Sequence, residues 1–364
     1  MIRAVLIILL VALTTSCVRS QSKPPSTRTK AEPPPPEVTE ITINGAGATT
    51  INPLMQAWID EYTRLHPGIH INYQSIGSGG GIRQITAKNI FFAASDGPMT
   101  DEQLAKAGRR ILHLPVTLHA VVPAYNLPQV PEMRFSGSTL AGIFLGRITK
   151  WNDPAITSDN PGVDLPRMDI KVVHNFPNTS EGAYIMAGFL SKISPEFKTT
   201  YATSTRQTWP VPSGMAGCHG GGGCTVAGVV RQSLGAVGCI ELMFARYNQI
   251  QYGAVENSEG EFVTASSESV TAAAAANVPL IQTQAPDFRV SITNPPGRAS
   301  YPIAAFIWVI LYENPEEKDK NAVMIDFLKW ALTDGQKLAP KLGYAPLPRD
   351  LIKIELDRLA VPAH

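Results

Sequence analysis

The sequence predicts an α/β protein whose body folds as two lobes. Runs with strand-like alternation and runs with helical periodicity follow one another through the body, a pattern typical of the α/β class. The body spans about residues 41–354 and is longer than the roughly 250–300 residues at which one hydrophobic core stops growing. Hydrophobic residues make up 44% of the 364-residue chain, which is sufficient for sizeable cores.

The individual elements follow from these two periodicities. Residues 41–43 and 69–73 alternate like strands, and residues 53–65 carry Leu54, Trp58 and Tyr62 at helical spacing. The other predicted strands lie at 112–123, where a strand pair is expected, and at 169–174, 235–240 and 301–311. The other predicted helices lie at 82–87, 140–145, 182–191, 225–233, 270–277 and 316–333.

The first residues predict an export signal. A basic start precedes an apolar run at residues 4–13 that is too short to span a membrane. Cys17 then follows small residues, as at the cleavage site of bacterial lipoproteins. Residues 1–17 are therefore interpreted as a signal peptide that leaves a lipid on Cys17. Simple secretion is the alternative, because Thr14 stands where such sites more usually have leucine.

Residues 18–40 predict an extended tether. This segment is rich in proline, serine and charge, and it contains four consecutive prolines at 33–36. It would hold the folded body off a membrane surface. Together with the signal, it predicts a periplasmic or cell-surface protein that meets the membrane through a lipid anchor.

Composition and motifs exclude several classes of function. The net charge is +1 and no basic stripe occurs, which argues against a nucleic-acid partner. There is no Gly-x-Ser-x-Gly elbow and no His-Glu-x-x-His motif, and the seven scattered histidines are interpreted as surface or capping residues. We therefore predict a protein that is not an enzyme, with no catalytic residue, no cofactor and no metal. A metal hydrolase is the least favoured class.

The cysteines of the body indicate two environments. Cys218 and Cys224 enclose a short glycine-rich loop, and in an oxidising compartment they predict a disulfide. A metal site built from Cys218, His219 and Cys224 is the alternative, although the spacing fits neither a zinc finger nor a haem attachment site. Cys239 lies in an apolar run that predicts a strand with a small buried thiol.

Three small-residue turns indicate an anion-binding site. Residues 45–50 and 77–81 each end a strand and open a helix, where unpaired backbone N–H groups and the helix dipole suit an oxyanion. The third turn, residues 94–98, carries a lone aspartate. One such turn is a weak signal, because many α/β proteins have glycine-rich turns that bind nothing. The candidate ligand residues here are Thr49, Thr50, Ser78 and Asp96.

These turns and several later segments resemble the periplasmic phosphate-binding proteins of ABC phosphate importers. The later segments are residues 120–128, 143–154, 300–303, 326–332 and 343–348. The resemblance implies the two-lobe type II fold of periplasmic solute-binding proteins, with crossing strands and one ligand in the cleft. It divides the body into lobe 1, residues 41–119 and 300–364, and lobe 2, residues 120–299.

The resemblance also implies a function and a site. A monomer would capture dehydrated phosphate by hinge closure and deliver it to the permease subunits of an ABC importer. Thr49 and Ser78 match donors of the family, and Asp96 matches the carboxylate that accepts the proton of phosphate. Sulfate lacks that proton and would leave a buried carboxylate without a partner, which is costly.

The second lobe departs from the family pattern. The family carries His-Arg-x-Asp-x-Ser-Gly-Thr before a helix, and here Asn175 replaces the arginine and Pro177 the aspartate. Asn175, Thr179 and Ser180 complete the predicted ligand set, since hydroxyls at a helix start can cap and donate. Glu181 adds a carboxylate that either faces the ligand or points to solvent.

The lost positive charge leaves other functions open. Arg83 and Arg206 are the candidates to replace it. One alternative is the same fold adapted to a different solute. Another is a structural or signalling lipoprotein whose site no longer binds, with the loop at residues 218–224 as a partner surface.

Overall fold

The computed structural model describes residues 40–174, 181–200, 223–284, 287–313 and 315–360. All of them belong to one unit, Thr39–His364. The strands are β1 (Ile41–Gly47), β2 (Ile69–Ser75), β3 (Phe92–Ser95), β4 (Ile111–Tyr125), β5 (Arg134–Phe135), β6 (Lys171–Val173), β7 (Ala236–Glu241), β8 (Gln251–Tyr252), β9 (Ala254–Glu256), β10 (Phe262–Val263) and β11 (Ala304–Tyr312).

Helices alternate with these strands, as the sequence predicts. They are α1 (Asn52–Leu65), α2 (Ser78–Thr86), α3 (Asp101–Ala107), α4 (Gly137–Phe144), α5 (Pro154–Asp159), α6 (Glu181–Ile193), α7 (Pro195–Thr200), α8 (Gly223–Gln232), α9 (Leu242–Tyr247), α10 (Ser267–Ala275), α11 (Val278–Gln284), α12 (Lys318–Leu332) and α13 (Arg349–Ala360). Two short 3₁₀ helices, Asp334–Leu338 and Pro340–Leu342, follow α12. Within the described ranges, no helix has the length and hydropathy needed to cross a bilayer.

One large sheet organises the fold. Its strands lie in the order β2-β1-β3-β11-β4-β7-β6, and β8 also pairs with β4. Strand β1 is parallel to β2 and β3, whereas β11 runs antiparallel to both β3 and β4. A small sheet in the order β10-β9-β5 lies apart from it. The carboxyl ends of β1, β2 and β3 therefore meet at one edge of the large sheet.

Strand β4 crosses between the two halves of this sheet. As far as Ala120 it pairs with β11, and from Val121 to Tyr125 it pairs with β7. The prediction of a strand pair at residues 112–123 is therefore wrong, because the structure has one continuous strand there. Pro115 lies where the register with β11 shifts, and a bulge tolerates the missing N–H of proline.

The two ends of the body pack together. Helix α1 buries Trp58 and Tyr62, as the helical spacing predicts. The Trp58 indole donates to the carbonyl oxygen of Gly335 at 2.8 Å, and the Tyr62 hydroxyl donates to Asp326 of α12 at 2.8 Å. The C-terminal elements therefore complete the core that the N-terminal strands begin.

Six helices were not predicted, namely α3, α5, α7, α9, α11 and α13, and three of them show a local reason. Helix α3 begins with a capping box between Thr100 and Gln103, which hydrophobic periodicity does not indicate. Helix α5 begins directly after Asp153, which caps it by accepting from the N–H of Ala155. The third is α13, whose buried face contains Glu355.

Cys239 lies on β7, opposite Pro123 of the crossing strand. It is a free thiol, partly rather than fully buried. Burial, with the charge of Glu241 as a smaller cause, raises its pKa well above the usual value. The prediction of a strand is confirmed, and the residue as a whole is partly rather than fully buried.

Candidate functional site

The three small-residue turns lie side by side at one edge of the sheet. The N–H of Ala48 donates to the carbonyl oxygen of Ala94 at 2.8 Å, and that of Ile76 donates to Gly47 at 3.0 Å. These bonds tie together the ends of β1, β2 and β3. Helices α1 and α2 begin directly beyond them, so two helix N-termini face the same edge.

Two glycines allow close backbone contacts at the end of β1, Gly81 with α2 and Gly47 with β3. At Gly81, a Cβ atom would lie 2.7 Å from both the carbonyl oxygen of Ala46 and the Cα of Gly47. Gly47 itself has φ +149°, and a Cβ there would lie 2.0 Å from the oxygen of Ala94. Part of the glycine-rich pattern that suggested an anion site therefore serves helix–strand packing.

The predicted acceptor Asp96 is the centre of the site. Its side chain is buried, with 2% of the residue exposed. The Thr50 hydroxyl donates to Asp96 Oδ1, and the Ser78 hydroxyl donates to Oδ2 at 3.1 Å. The Ser78 oxygen also accepts from the N–H of Asp96 at 3.1 Å. The structure thus brings together three of the predicted site residues from three different turns.

Burial dominates the electrostatics of Asp96. It raises the pKa of the carboxyl from 3.8 to about 6, while the hydrogen bonds from Thr50 and Ser78 oppose the shift. Near neutral pH the group is therefore mainly a carboxylate, an acceptor whose two oxygens each already receive one hydroxyl. A carboxylate offers about four acceptor positions, so capacity for a further donor remains.

Thr49 lies next to this cluster without joining it. The residue is partly exposed, and its carbonyl oxygen accepts from the N–H of Asn52 at 3.2 Å, at the start of α1. Arg83, a candidate for the missing charge, is exposed on α2. Its guanidinium lies 3.5 Å from where a Cβ of Gly79 would be, which places it over the first turn of that helix.

Three further buried polar residues belong to this region, where the charges of Asp96 and Glu241 both act on Tyr344. His119 of β4 is 3% exposed, and its Nε2 lies 3.7 Å from Asp96 Oδ1. The Tyr344 hydroxyl donates to the carbonyl oxygen of Thr50, and Glu241 at the end of β7 is 1% exposed. Sequence reasoning missed all three residues, since each comes from a distant part of the chain.

The prediction that the histidines are surface or capping residues is wrong for two of them. His113 and His119 both lie on β4 and are 2% and 3% exposed. His113 Nε2 accepts from the N–H of Met99 at 3.1 Å. The sequence does contain an indication of their burial, because each histidine stands within the long apolar run of β4.

Helix α6 faces the loop that carries Asp96. A Cβ on Gly97 would lie 3.8 Å from the ring of Tyr184 on α6. Beside this contact is a cavity of about 600 Å³, which Asp96, Ile185 and Phe306 help to line. Among the described residues, no group of three or more histidine, cysteine, aspartate or glutamate side chains is placed to hold a metal ion.

Several predicted residues lie outside the described ranges. They are Cys17, Asn175, Pro177, Thr179, Ser180, Arg206, Cys218 and His219, and the side chains of Glu181 and Cys224 are likewise outside the description. The second-lobe half of the predicted ligand set, the lipid anchor and the disulfide therefore remain predictions.

The crossing strand, the converging strand ends and the buried acceptor define a two-lobe solute-binding protein. A domain family described as the PBP superfamily domain matches residues 24–335. The phosphate-binding protein PstS of Xylella fastidiosa (strain 9a5c) is 40% identical over 324 residues, which cover 88% of this chain and 86% of that protein. PstS of Pasteurella multocida is 38% identical over 314 residues, covering 86% and 88%. This chain belongs to the family of PstS phosphate-binding proteins.

Solved structures confirm the predicted fold. A phosphate-binding protein from Stenotrophomonas maltophilia aligns with a TM-score of 0.65 at 17% identity, covering 87% of this chain and 94% of that one. The periplasmic phosphate-binding protein PfluDING, bound with phosphate, aligns with a TM-score of 0.67 at 18% identity, covering 86% and 92%. The resemblance on which the family was predicted is confirmed as well.

Proposed function

We propose that this protein captures inorganic phosphate outside the cytoplasmic membrane and delivers it to an ABC importer. The observation that carries the proposal is the buried carboxylate of Asp96, which hydroxyls from two neighbouring turns hold in place. Such a group accepts a proton-bearing oxyanion and penalises one that carries no proton. The names of the PstS relatives point to the same ligand.

The binding mechanism follows from the geometry of the site. The phosphate O–H donates to Asp96, while the N-termini of α1 and α2 present backbone donors to the other oxygens. Thr49, Thr50 and Ser78 would contribute from the first lobe, and Asn175, Thr179 and Ser180 from the second. Binding requires no bond to be made or broken, so the protein would act as a carrier and not as an enzyme.

Closure of two lobes would enclose the ligand. The proposed lobe 1 comprises residues 41–119 and 300–364, and lobe 2 comprises residues 120–299. The change of partner of β4 after Ala120 supports this division, because the strand leaves β11 for β7 there. A hinge at the crossing strands would let the lobes close over phosphate and reopen at the permease.

The proposed setting is the outer side of the membrane. A signal peptide at residues 1–17, a lipid on Cys17 and the tether of residues 18–40 would keep a monomer near its permease. In the same oxidising compartment, Cys218 and Cys224 would form a disulfide.

Isothermal titration of the purified protein with phosphate and with sulfate at neutral pH tests the ligand. We expect phosphate to bind. Sulfate should bind at least about 100-fold more weakly, because it leaves the buried carboxylate without a donor. An absence of phosphate binding would refute the proposed ligand while the family assignment stands.

A different solute is the second candidate, since Asn175 and Pro177 replace the charged residues of the family pattern. Mass spectrometry of small molecules that copurify with the native protein separates the two candidates. Copurified phosphate favours the first, and another anion at stoichiometric level favours the second.

A further inference from the structure

His119 is the basic group nearest to the proposed ligand acceptor. It lies on the crossing strand β4, and its Nε2 is 3.7 Å from Asp96 Oδ1. That distance is longer than a normal hydrogen bond but within the range of an ion pair. Among the described residues, His119 is the only basic side chain within 4.0 Å of Asp96.

Acidic and neutral groups adjoin this pair, and three cations, Lys192, Lys198 and Arg289, line the cavity that Asp96 also lines. Thr50 and Ser78 donate to the two oxygens of Asp96, and the Tyr344 hydroxyl donates to the backbone of Thr50. Glu241 is buried on β7 opposite Val121, two positions along β4 from His119. Burial raises the pKa of the Tyr344 hydroxyl, and the charges of Asp96 and Glu241 add to the increase.

Binding of an anion brings further negative charge close to buried carboxyl groups. Asp96 and Glu241 are two buried carboxyl groups whose charges both act on Tyr344, and a phosphate dianion at Asp96 adds further negative charge. Like charges at short range in a poorly solvated site are costly unless a positive group offsets them. Lys192, Lys198 and Arg289 line the cavity, whereas His119 lies within ion-pair distance of the Asp96 carboxylate itself.

We propose that His119 becomes an imidazolium held against Asp96 when the anion is bound, and so adds a positive charge to those that line the cavity. This inference rests on the proposed function, because it concerns the same site. His119 acts on the ligand through Asp96, so it is a positioning residue that sets the charge of the site. This added cation would come from the crossing strand β4.

The proposal predicts proton uptake on binding. The proposal has His119 neutral before phosphate binds and charged afterwards, so binding takes one proton from solvent. Calorimetric titration with inorganic phosphate at pH 8.0, in two buffers of different ionisation enthalpy, measures this number directly. The wild-type protein should take up about one proton per phosphate bound.

The variant His119→Gln removes the titrating group and keeps a polar side chain of similar length. We expect its proton uptake to fall close to zero and its affinity for phosphate to fall about 10- to 100-fold, the loss of one charge-assisted contact. If the variant binds phosphate as tightly as wild type and takes up the same number of protons, the proposal is overturned. Absence of binding by wild type would instead refute the proposed function.

His113→Gln is the matched control on the same strand. His113 is equally buried, and burial lowers its pKa to about 4, so it is neutral at pH 8.0 with or without ligand. Glutamine can still accept from the N–H of Met99. This variant should take up as many protons as wild type, and loss of uptake in both variants would overturn the assignment to His119.

A measurement on wild type covers the case in which His119→Gln does not fold. ¹⁵N NMR of the imidazole distinguishes the neutral ring from the imidazolium. At pH 8.0 the His119 signals should move to imidazolium positions as phosphate is added, and signals that stay at neutral-ring positions would overturn the proposal.

Discussion

At the scale of the residue, Asp96 makes opposite contributions to stability and binding. Its folded-state pKa of about 6 exceeds the ordinary 3.8, so the folded protein holds this proton more tightly than the unfolded chain. The resulting stability is fully present below pH 3.8 and is lost as the pH rises through about 6. A shift of this size corresponds to roughly 3 kcal/mol.

The variant Asp96→Asn should therefore stabilise the ligand-free protein at pH 8 by up to about 3 kcal/mol, with the advantage vanishing at acid pH. It should also bind phosphate far more weakly, because the amide offers a donor where the ligand has its own. Urea unfolding at pH 4 and pH 8 measures the first effect and calorimetry the second.

The exposed carboxylate Asp169, paired with Lys150, provides the control. Asp169→Asn should change the free energy of unfolding by no more than about 0.5 kcal/mol at either pH. A lower stability of Asp96→Asn than of wild type at pH 8 would contradict the account of Asp96 as a buried, destabilising charge.

The predicted site residues that the structure brings together were selected on local signals. Ser78 and Asp96 each lie in a turn whose small residues mark it in the sequence, so their selection needed no knowledge of the fold. His119 and Glu241 reach the site only because β4 pairs with β7 and β11. Nothing in the neighbouring sequence of either residue indicates that contact.

At the scale of the element, the position of α2 depends on Gly81. An alanine there would place its Cβ 2.7 Å from backbone atoms of β1, which cannot move aside as a flexible side chain can. Gly81→Ala should reduce the free energy of unfolding by about 1–3 kcal/mol. It should also weaken phosphate binding, because Ser78 begins the same helix. Thermal unfolding and calorimetry measure the two effects.

Gly79 in the same helix is the matched control. A Cβ there meets only the guanidinium of Arg83, at 3.5 Å. Gly79→Ala should be neutral or should stabilise the protein by up to about 1 kcal/mol, since alanine is the better helix former. Equal effects of the two substitutions would show that helix propensity, and not close packing, decides the outcome.

Element-scale prediction depended on an unbroken apolar pattern. Helix α1 was predicted because Leu54, Trp58 and Tyr62 repeat at helical spacing and are all buried. Helix α13 was missed because Glu355, which is completely buried, stands between Leu351 and Leu359 on its buried face. A charged residue in the centre of the buried face interrupts the apolar repeat by which hydropathy indicates a helix.

At the scale of the whole molecule, the sequence alone could indicate the α/β class but not the crossing. Strand β4 is buried along nearly its full length, so its residues carry no alternation that would mark where it changes partner. The contact of Tyr62 with Asp326 likewise joins distant parts of the chain. The resemblance to a known family supplied this long-range arrangement, which periodicity could not.

Arg289 links the segment that returns to β11 with the loop that follows Asp96. Its guanidinium donates to Asp101 at 2.7 Å and to the carbonyl oxygen of Met99 at 3.2 Å. It also donates through Nε to Asp287 at 2.6 Å. Within the proposed lobes, these bonds join lobe 2 to lobe 1 beside the ligand acceptor. Loss of the guanidinium should make opening easier without changing the acceptor itself.

Arg289→Gln should therefore raise the rate of phosphate dissociation about tenfold, because one charge-assisted contact is lost. The association rate should stay nearly unchanged, since changes of this kind act mostly on dissociation. Stopped-flow measurement of both rates provides the test. Arg298→Gln is the control, because Arg298 is 81% exposed and pairs with Glu261 at the surface. If both variants release phosphate at the wild-type rate, the bonds of Arg289 do not hold the lobes closed, and closure must depend on contacts of the ligand itself.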